Sequence, residues 1–515
     1  MRGLTLPRRS GILLHITSLP GGPFSGDLGQ SAYDFADFLA EAGQAWWQTL
    51  PLNPIGAQSS PYSSVSSFAG EPLLISPELL VEDGLLGKKL LREVPTTSSS
   101  WRSSFAGSKR LRAKLLRYVY RSFLDERPRS MLRSFAAFKA REKSWLDDYC
   151  LFGALSGHFK NRDWTRWPKD VAKRASASLR SARVELENEI DYLAFQQFVF
   201  DQQWRALRAY CRKRGIGIIG DMPMFVAHDS CDVWAHQRAF LLNAKGLPKF
   251  VAGAPPDAFN ADGQRWGNPL YDWAYHQRSG FAWWTRRVRR QLDLFDVVRL
   301  DHFIGFSRYW RISSRAKTAK SGRWMSARGR QLFDRLVRVH GELPFIAEDL
   351  GAVTQEVWDL RDRYGLPGMR VLQFAFESGL GARIHRPHDY PRHCVAFTGT
   401  HDNDTTRGWY KALKRRARSK DQNARAELRR MQAYLGIDEE AEVAQAAIRI
   451  LSASPADTVI FPLQDVLNLD GKHRMNAPGT TRGNWVWRLK DGQLNANVSA
   501  RLRDLAEATD RCPNR

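Results

Sequence analysis

Short runs of apolar residues, each ending at a polar residue, recur along the chain and predict eight β-strands. The runs are rich in β-branched and aromatic side chains, and amphipathic stretches with helical spacing separate several of them. The predicted strands are residues 11–15, 46–50, 216–221, 296–301, 345–348, 369–374, 394–398 and 458–461. Strands that alternate with helices in this number predict an α/β protein with a (β/α)8 TIM barrel.

Two of these elements allow more detailed predictions. Residues 31–42 (SAYDFADFLAEA) have the spacing of an amphipathic helix, with Ser31 as its N-cap and Gly43 as its stop. Residues 371–376 (VLQFAF) are apolar except for Gln373, which is typical of a strand covered on both faces.

Two connections are too long for simple loops and predict insertions at the C-terminal face of the strands. Residues 51–215 separate the second and third strands and predict a mostly helical subdomain. Its expected parts are helices near 108–124 and 193–214 and a Ser/Arg-rich linker at 174–182. Residues 222–285, rich in Gly, Pro and aromatic residues, predict a second insertion that contributes active-site loops. We therefore expect residues 1–515 to form a single catalytic barrel.

Composition excludes several classes of protein. No apolar stretch approaches the roughly 20 residues needed to cross a bilayer, and the basic N-terminus lacks the apolar segment of a signal peptide. The 5 cysteines are odd in number and form no CxxC pair, which argues against a disulfide or zinc framework. We expect a cytoplasmic protein that does not bind membranes.

The net charge of +24 suggests nucleic-acid binding at first sight. The excess lies in Arg-rich stretches such as 108–121 and 412–430, where apolar residues recur at helical spacing. Such charges line the solvated faces of helices. Because no nucleic-acid-binding motif accompanies them, we expect no specific nucleic-acid partner.

Three carboxylates end strand-like segments and are the candidates for catalysis. Asp301, Glu348 and Asp402 lie in DVVRLDHF, PFIAEDLG and VAFTGTHDND. In a barrel these positions meet at the C-terminal rim, and paired carboxylates there suit glycosidic-bond chemistry. Arg299 is two residues before Asp301 and points to the same face, so it would keep that acid ionised and oriented. The alternative is a buried ion pair that only ties barrel layers together.

The neighbours of these carboxylates leave other interpretations open. Glu348 in a partly apolar site would be a general acid and base, whereas a structural interpretation makes it and Asp349 helix caps. Asp402, His401 and His302 would hydrogen-bond sugar hydroxyls, but His and Asp clusters at a barrel rim also bind metals. No HxH or HExxH motif accompanies them. Tyr62 and Trp266, in loop-like contexts, are candidates for stacking on sugar rings.

The motifs become specific when they are taken together, and they occur along nearly the whole chain. They are HITSLPGGPFSGDLG (15–29), SPYSSVSSFAGEP (60–72), GDMPMFVAHDSCDVW (220–234), VAGAPPDAFNADGQRWGNPLY (251–271), VVRLDHFIGFSRYW (297–310), IAEDLG (346–351), PGMRVLQFAF (367–376), FTGTHDNDTT (397–406) and RMNAPGTTRGNW (474–485). In this order they resemble the 4-α-glucanotransferases called amylomaltases or disproportionating enzymes, in the α-amylase superfamily and glycoside hydrolase family 77.

The resemblance implies a role for each matching residue. Asp301 would be the nucleophile, Glu348 the acid and base, and Asp402 the transition-state stabiliser. The residues that would bind substrate are Arg299, His302, His401, Asp221, Tyr62, Asp257, Gln264, Trp266 and Asn476. Two positions depart from the family pattern: Ala258 replaces a bulky aromatic residue common in members, and His228 replaces an acidic residue found in some.

The resemblance also implies the reaction. We expect retaining transfer of α-1,4-glucan segments from one maltooligosaccharide or glucan to the 4-hydroxyl of another, with no metal or organic cofactor. The donor and the acceptor would both be α-1,4-glucans. Two alternatives stay open: an α-glucan hydrolase on the same barrel, and a basic polysaccharide- or nucleic-acid-binding protein.

Overall fold

The computed structural model describes residues 4–56, 59–92, 101–160, 162–256, 260–419 and 421–513. Within these residues the chain forms twelve strands. They are β1 Arg9–Leu13, β2 Trp46–Gln48, β3 Gly217–Met222, β4 Phe250–Ala254, β5 Gln264–Pro269, β6 Val297–Leu300, β7 Arg308–Ser313, β8 Arg323–Ser326, β9 Phe345–Ala347, β10 Gly368–Val371, β11 Cys394–Phe397 and β12 Thr458–Pro462.

Eight strands close into a parallel barrel in the order β1-β12-β11-β10-β9-β6-β3-β2. Each coincides with a predicted strand to within three residues at either end. Their side chains are almost wholly buried, as expected where helices cover the outside and side chains fill the inside. The predicted TIM barrel is confirmed.

A second, antiparallel sheet of β5-β4-β7-β8 lies outside the barrel. β4 and β5 belong to the connection between β3 and β6, while β7 and β8 follow β6. The sequence predicts loops between β3 and β6, and this sheet was not predicted. Its small apolar cluster of Val251, Ile312 and Ala319 is separate from the main core.

Twenty α-helices occur in the described part of the chain. They are α1 Gln30–Glu41, α2 Pro77–Glu82, α3 Lys88–Arg92, α4 Phe105–Glu126, α5 Arg129–His158, α6 Lys169–Ala172, α7 Ser176–Glu185, α8 Glu187–Lys213, α9 Cys231–Ala235, α10 Trp273–Arg278, α11 Ala282–Leu294, α12 Ile304–Ser307, α13 Gly329–His340, α14 Gln355–Arg363, α15 Leu380–Arg383, α16 Thr406–Arg418, α17 Gln422–Leu435, α18 Val443–Ala453, α19 Leu463–Val466 and α20 Ala496–Ala508. Among the described helices, none combines the length and the apolar character that crossing a membrane requires.

Three local predictions were wrong. The first helix begins at Gln30, so Ser31 lies inside it and Gly29, which has no side chain, is the N-cap. The supposed linker at 174–182 is mostly helix α7, which packs against α8 and buries Leu179 and Ala182. Sequence composition suggested a linker because Ser and Arg are abundant there, but two buried residues a turn apart suffice to dock a short helix.

The strand predicted over 371–376 ends at Val371, and Leu372–Phe374 form a 3-10 turn. Leu372 and Gln373 are nevertheless buried. A run of apolar residues predicts that the segment is buried, but it does not distinguish a strand from a buried turn at the end of that strand. The turn places Gln373 so that its Nε2 donates to the carbonyl of Asp404 at 2.9 Å.

Helix α8 positions the loop that carries Tyr62. The Gln197 side chain forms two hydrogen bonds with Gly70, accepting from its N–H at 2.7 Å and donating to its carbonyl at 2.8 Å. Asp232 accepts from the N–H and hydroxyl of Ser67 at 2.7 and 3.0 Å. The insertion is therefore part of the scaffold of the barrel mouth.

Replacing Gly70 by Ala will destabilise the protein, because the added Cβ would lie 2.1 Å from the ring of the fully buried Phe200. Overpacking of this kind costs about 1–3 kcal/mol. Gly157→Ala is the matched control, since nothing lies within 4 Å of its Cβ position and it is helical; Ala there will be neutral or slightly stabilising. Calorimetric unfolding midpoints at one scan rate measure both, and equal midpoints would contradict the packing described here.

Candidate active site

Asp301 and Glu348 follow the ends of two adjacent barrel strands, β6 and β9. The ladder bonds continue through them: Asp301 N–H donates to the carbonyl of Met222 at 3.1 Å, and Glu348 N–H to that of Leu300 at 3.2 Å. Both carboxyls therefore leave the barrel at its C-terminal edge, where TIM-barrel sites form.

Arg299 connects the acids at this edge. Its side chain is 5% exposed, and its Nη1 lies 2.8 and 3.0 Å from the two carboxylate oxygens of Asp221 and 2.9 Å from Oδ1 of Asp301. Asp221 is its register partner on β3, and Asp301 is two residues along its own strand. Burial alone would lower the pKa of Arg299, but the two carboxylates reverse this and raise it well above its usual range.

Asp221 is fully buried at the base of the site. Burial raises its pKa to about 6, with the charge of Arg299 opposing the shift and that of Asp301 adding to it. The hydroxyl of Tyr62 donates to its Oδ2 at 2.8 Å. This bond joins the loop from the insertion to the floor of the barrel mouth.

Glu348 is half-buried and accepts backbone hydrogen bonds. His302 N–H donates to its Oε2 at 2.6 Å and Leu350 N–H to its Oε1 at 3.3 Å. Burial raises the pKa of Glu348 to about 8; Arg299 opposes the shift and Asp301 reinforces it. A carboxyl that stays protonated at neutral pH can donate a proton to a bound group, which an ordinary glutamate cannot do.

Asp349, the next residue, is not a helix cap. Its side chain is completely buried, and it accepts from Arg361 Nη1 at 2.5 Å and from the N–H of Met369 at 2.7 Å. It therefore ties the end of β9 to β10 and α14. Neither Asp349 nor Glu348 caps a helix, because the next helix, α14, begins at Gln355 with Thr354 as its N-cap. The role of Asp349 is nevertheless structural.

Asp402 lies on the loop between β11 and α16, and its side chain is 46% exposed. Asn476 Nδ2 donates to its Oδ1 at 2.6 Å, and His401 Nε2 is 3.5 Å from its Oδ2. Arg474 donates to its backbone carbonyl at 2.9 Å. The carboxylate is thus held from one side and open to solvent on the other.

Two aromatic groups flank the carboxylates. Tyr62 stacks on His401 with ring centroids 5.1 Å apart, and Trp485 lies 5.6 Å from Tyr62. On the other side, the ring of Trp266 packs edge to face against the ring of His302, with ring centroids 4.9 Å apart. The indole N–H of Trp266 donates to Oε1 of Gln264 at 3.1 Å. Trp266 is 39% exposed, so one face of its ring is available to a ligand.

His302 has an unusual backbone, with φ of +50°. Burial lowers its pKa to about 4, so the ring is neutral at neutral pH. Its buried Nε2 has no hydrogen-bond partner among the described residues. A strained residue with an unpartnered polar atom beside two carboxyls is typical of a ligand-binding position.

The structure brings most of the predicted residues to one rim. Asp257 and Ala258 lie outside the described residues, and His228 lies away from the carboxyls, with its Nε2 at 2.8 Å from the carbonyl of Gly246. Sequence reasoning did not single out Trp485, although it ends the quoted motif 474–485. Nor did it assign a role to Arg474 in the same motif. Among the described residues, no group of three His, Cys, Asp or Glu side chains has a metal-binding arrangement.

Comparisons with known proteins agree with this geometry. The 4-alpha-glucanotransferase family pattern of glycoside hydrolase family 77 matches residues 14–495. The chain is 46% identical to the 4-alpha-glucanotransferase of Thermus thermophilus over 99% of this chain and 100% of the relative, and 40% identical to that of Clostridium butyricum over 97% and 100%.

Solved structures give the same result. The amylomaltase from Streptococcus agalactiae in complex with acarbose superposes with a TM-score of 0.91 at 35% identity, over 98% of this chain and 100% of that one. The amylomaltase from Corynebacterium glutamicum shares the fold, with a TM-score of 0.77 at 21% identity over 98% and 75%. The chain therefore belongs to the 4-α-glucanotransferase family.

Proposed function

We propose that Asp301, Glu348 and Asp402 carry out the 4-α-glucanotransferase reaction as nucleophile, acid and base, and transition-state stabiliser. The observation that carries this proposal is the contrast between two neighbouring carboxyls. Asp301 bonds to the Arg299 guanidinium, whereas Glu348 is bonded, among the described residues, only by backbone N–H groups. The contact with Arg299 holds Asp301 in place, as a nucleophile requires, whereas the environment of Glu348 raises its pKa and permits a carboxylic acid.

The first half-reaction cleaves the donor. Glu348 gives its proton to the glycosidic oxygen while Asp301 attacks the anomeric carbon from the opposite face. The leaving glucan departs, and a covalent β-glucosyl ester of Asp301 remains. Asp402 and His401 bind sugar hydroxyls, and these bonds strengthen as positive charge develops on the ring.

The second half-reaction uses the same groups in reverse. The 4-hydroxyl of an acceptor glucan enters, Glu348 takes its proton, and the oxygen attacks the anomeric carbon as Asp301 leaves. Two inversions restore the α configuration. Protons balance over the cycle, so the chemistry needs no cofactor.

Transfer rather than hydrolysis requires cover over the intermediate and a good acceptor site. The helical insertion at residues 51–215 and the loops at 222–285 supply these in our proposal. Tyr62 from the first bonds to Asp221, and Trp266 from the second lies against His302. The exposed ring of Trp266 then receives the acceptor.

The absence of any pairing among the five cysteines supports a reducing, cytoplasmic location.

Maltotriose as sole substrate separates transfer from hydrolysis. A transferase will produce glucose together with a ladder of longer maltooligosaccharides, because one substrate molecule donates and another accepts. The number of reducing ends will stay constant, whereas hydrolysis raises it by one for each bond cut. Chromatography with a reducing-sugar assay measures both, and a steady rise that matches the glucose released would favour the hydrolase.

Azide distinguishes the nucleophile from the acid and base. Glu348→Gln will slow disproportionation of maltotriose roughly 10²- to 10⁴-fold. With α-maltosyl fluoride, whose leaving group needs no proton, this variant will form its intermediate, and azide will then yield the α-azide. Asp301→Ala forms no intermediate, so azide attacks directly and gives the β-azide. NMR of the products reads the configuration.

Glu342→Gln, which changes an exposed glutamate just before the same strand, is the control and will behave as the wild type. The same anomer from both active-site variants would contradict the assigned roles.

The pH profile reports the protonation of Glu348. Because its pKa is raised, the acid form persists to about pH 8, and kcat/KM for maltotriose will fall as pH rises through that value. A glutamate with an ordinary pKa would already be ionised two or more units lower. With α-maltosyl fluoride the decline will disappear, since that leaving group needs no proton. An identical decline for both substrates would assign it to another group.

A further inference from the structure

The loop that carries His401 and Asp402 is fixed at both ends by one buried carboxylate. Thr398 directly follows β11 and Thr406 is the first residue of α16, so the two threonines bracket the loop. Asp465, on α19 beyond the next strand, accepts from the hydroxyl of Thr398 at 2.6 Å. It also accepts from the N–H and the hydroxyl of Thr406, both at 2.7 Å. Asp465 and both threonines are at most 1% exposed.

The three contacts use both oxygens of Asp465. Its Oδ1 accepts the backbone N–H of Thr406, and its Oδ2 binds the hydroxyls of Thr398 and Thr406. A side chain without polar atoms at this position would lose all three bonds and leave a buried N–H and two buried hydroxyls without these partners.

Further hydrogen bonds, within the loop and from residues next to it, complete its conformation. The side chain of Asn403 accepts from the N–H and hydroxyl of Thr400 at 2.9 and 2.8 Å. Gln373 binds the carbonyl of Asp404, and Asn476 binds both the carboxylate of Asp402 and the carbonyl of His401. These contacts select the shape of the loop, while Asp465 sets where its ends lie relative to the barrel.

We propose that Asp465 is a positioning residue for the transferase reaction, acting through Asp402 and His401 without touching the glucan. This rests on the proposed role of Asp402. A carboxylate that acts mainly on the transition state must already be in place when charge develops, and a displacement of about 1 Å can cost roughly 10²-fold in rate. Asp465 joins the residue after β11 to the first residue of α16, so its three bonds fix where the loop begins and ends.

Asp465→Ala, which removes all three bonds, will therefore lower kcat for maltotriose disproportionation by roughly 10²-fold, with KM changed much less. Thr398→Val, which removes one hydroxyl and keeps the volume, will lower kcat in the same direction, and Thr398→Ser will restore it. Asp504→Ala, a change at an exposed aspartate on helix α20, is the matched control and will leave kcat unchanged. Circular dichroism and the unfolding midpoint will show that each variant is folded.

A double-mutant cycle with Asp402→Asn is the decisive measurement. If Asp465 acts through Asp402, Asp465→Ala will add little to the loss of kcat already caused by Asp402→Asn. Effects that multiply in the double variant, or a wild-type kcat for folded Asp465→Ala, would overturn the inference while Asp402 keeps its role. A wild-type kcat for Asp402→Asn would overturn the proposed role of Asp402 and this inference with it.

Discussion

The buried guanidinium of Arg299 is the interaction on which the site depends. A single buried cation is costly unless carboxylates compensate it, and here Asp221 and Asp301 do so from two adjacent positions of the barrel. Tyr62 adds a third element by binding Asp221 from the insertion. Removing the positive charge would leave two carboxylates unpaired beside Glu348. The position of Asp301, the raised pKa values of its neighbours Asp221 and Glu348, and the docking of the Tyr62 loop all therefore involve Arg299.

Much of the fold was predictable because barrel strands are local patterns. Runs such as VVRL and CVAF are short, apolar and β-branched, and they end where the backbone leaves the sheet. Two of the failures were also local in origin. Leu372 and Gln373 are buried in a turn instead of a strand, and Ser31 lies two residues after the N-cap position of its helix, which Gly29 occupies. The antiparallel sheet of β4, β5, β7 and β8 depends on pairing across a barrel strand, which no window of sequence contains.

The site was predictable as a set of residues but not as a set of contacts. Asp301 and Glu348 stand out because a carboxylate ends each strand. The resemblance to a family supplied Asn476. It also assigned to the same site Tyr62, which its loop-like context had already made a candidate for stacking on sugar rings. Tyr62 and Asp221 are 159 residues apart, and Asp402 and Asn476 are 74 apart. Trp485 was overlooked because its sequence context does not separate a tryptophan that lines the site from one that packs in the core.

The two sides of the cleft are built differently, and the proposed mechanism gives a reason for the difference. In that mechanism Asp301 and Glu348 make and break bonds, and both follow directly on strands whose ladder bonds fix their backbone. Asp402 forms no bond to carbon in the proposed reaction; it lies on a loop and is nearly half exposed. A loop residue lacks the rigidity of a sheet, so its placement needs additional contacts, which Asn476 and the buried Asp465 provide. Preorganisation is needed on both sides of the cleft, because in the proposed mechanism each carboxylate must be in position before the transition state forms.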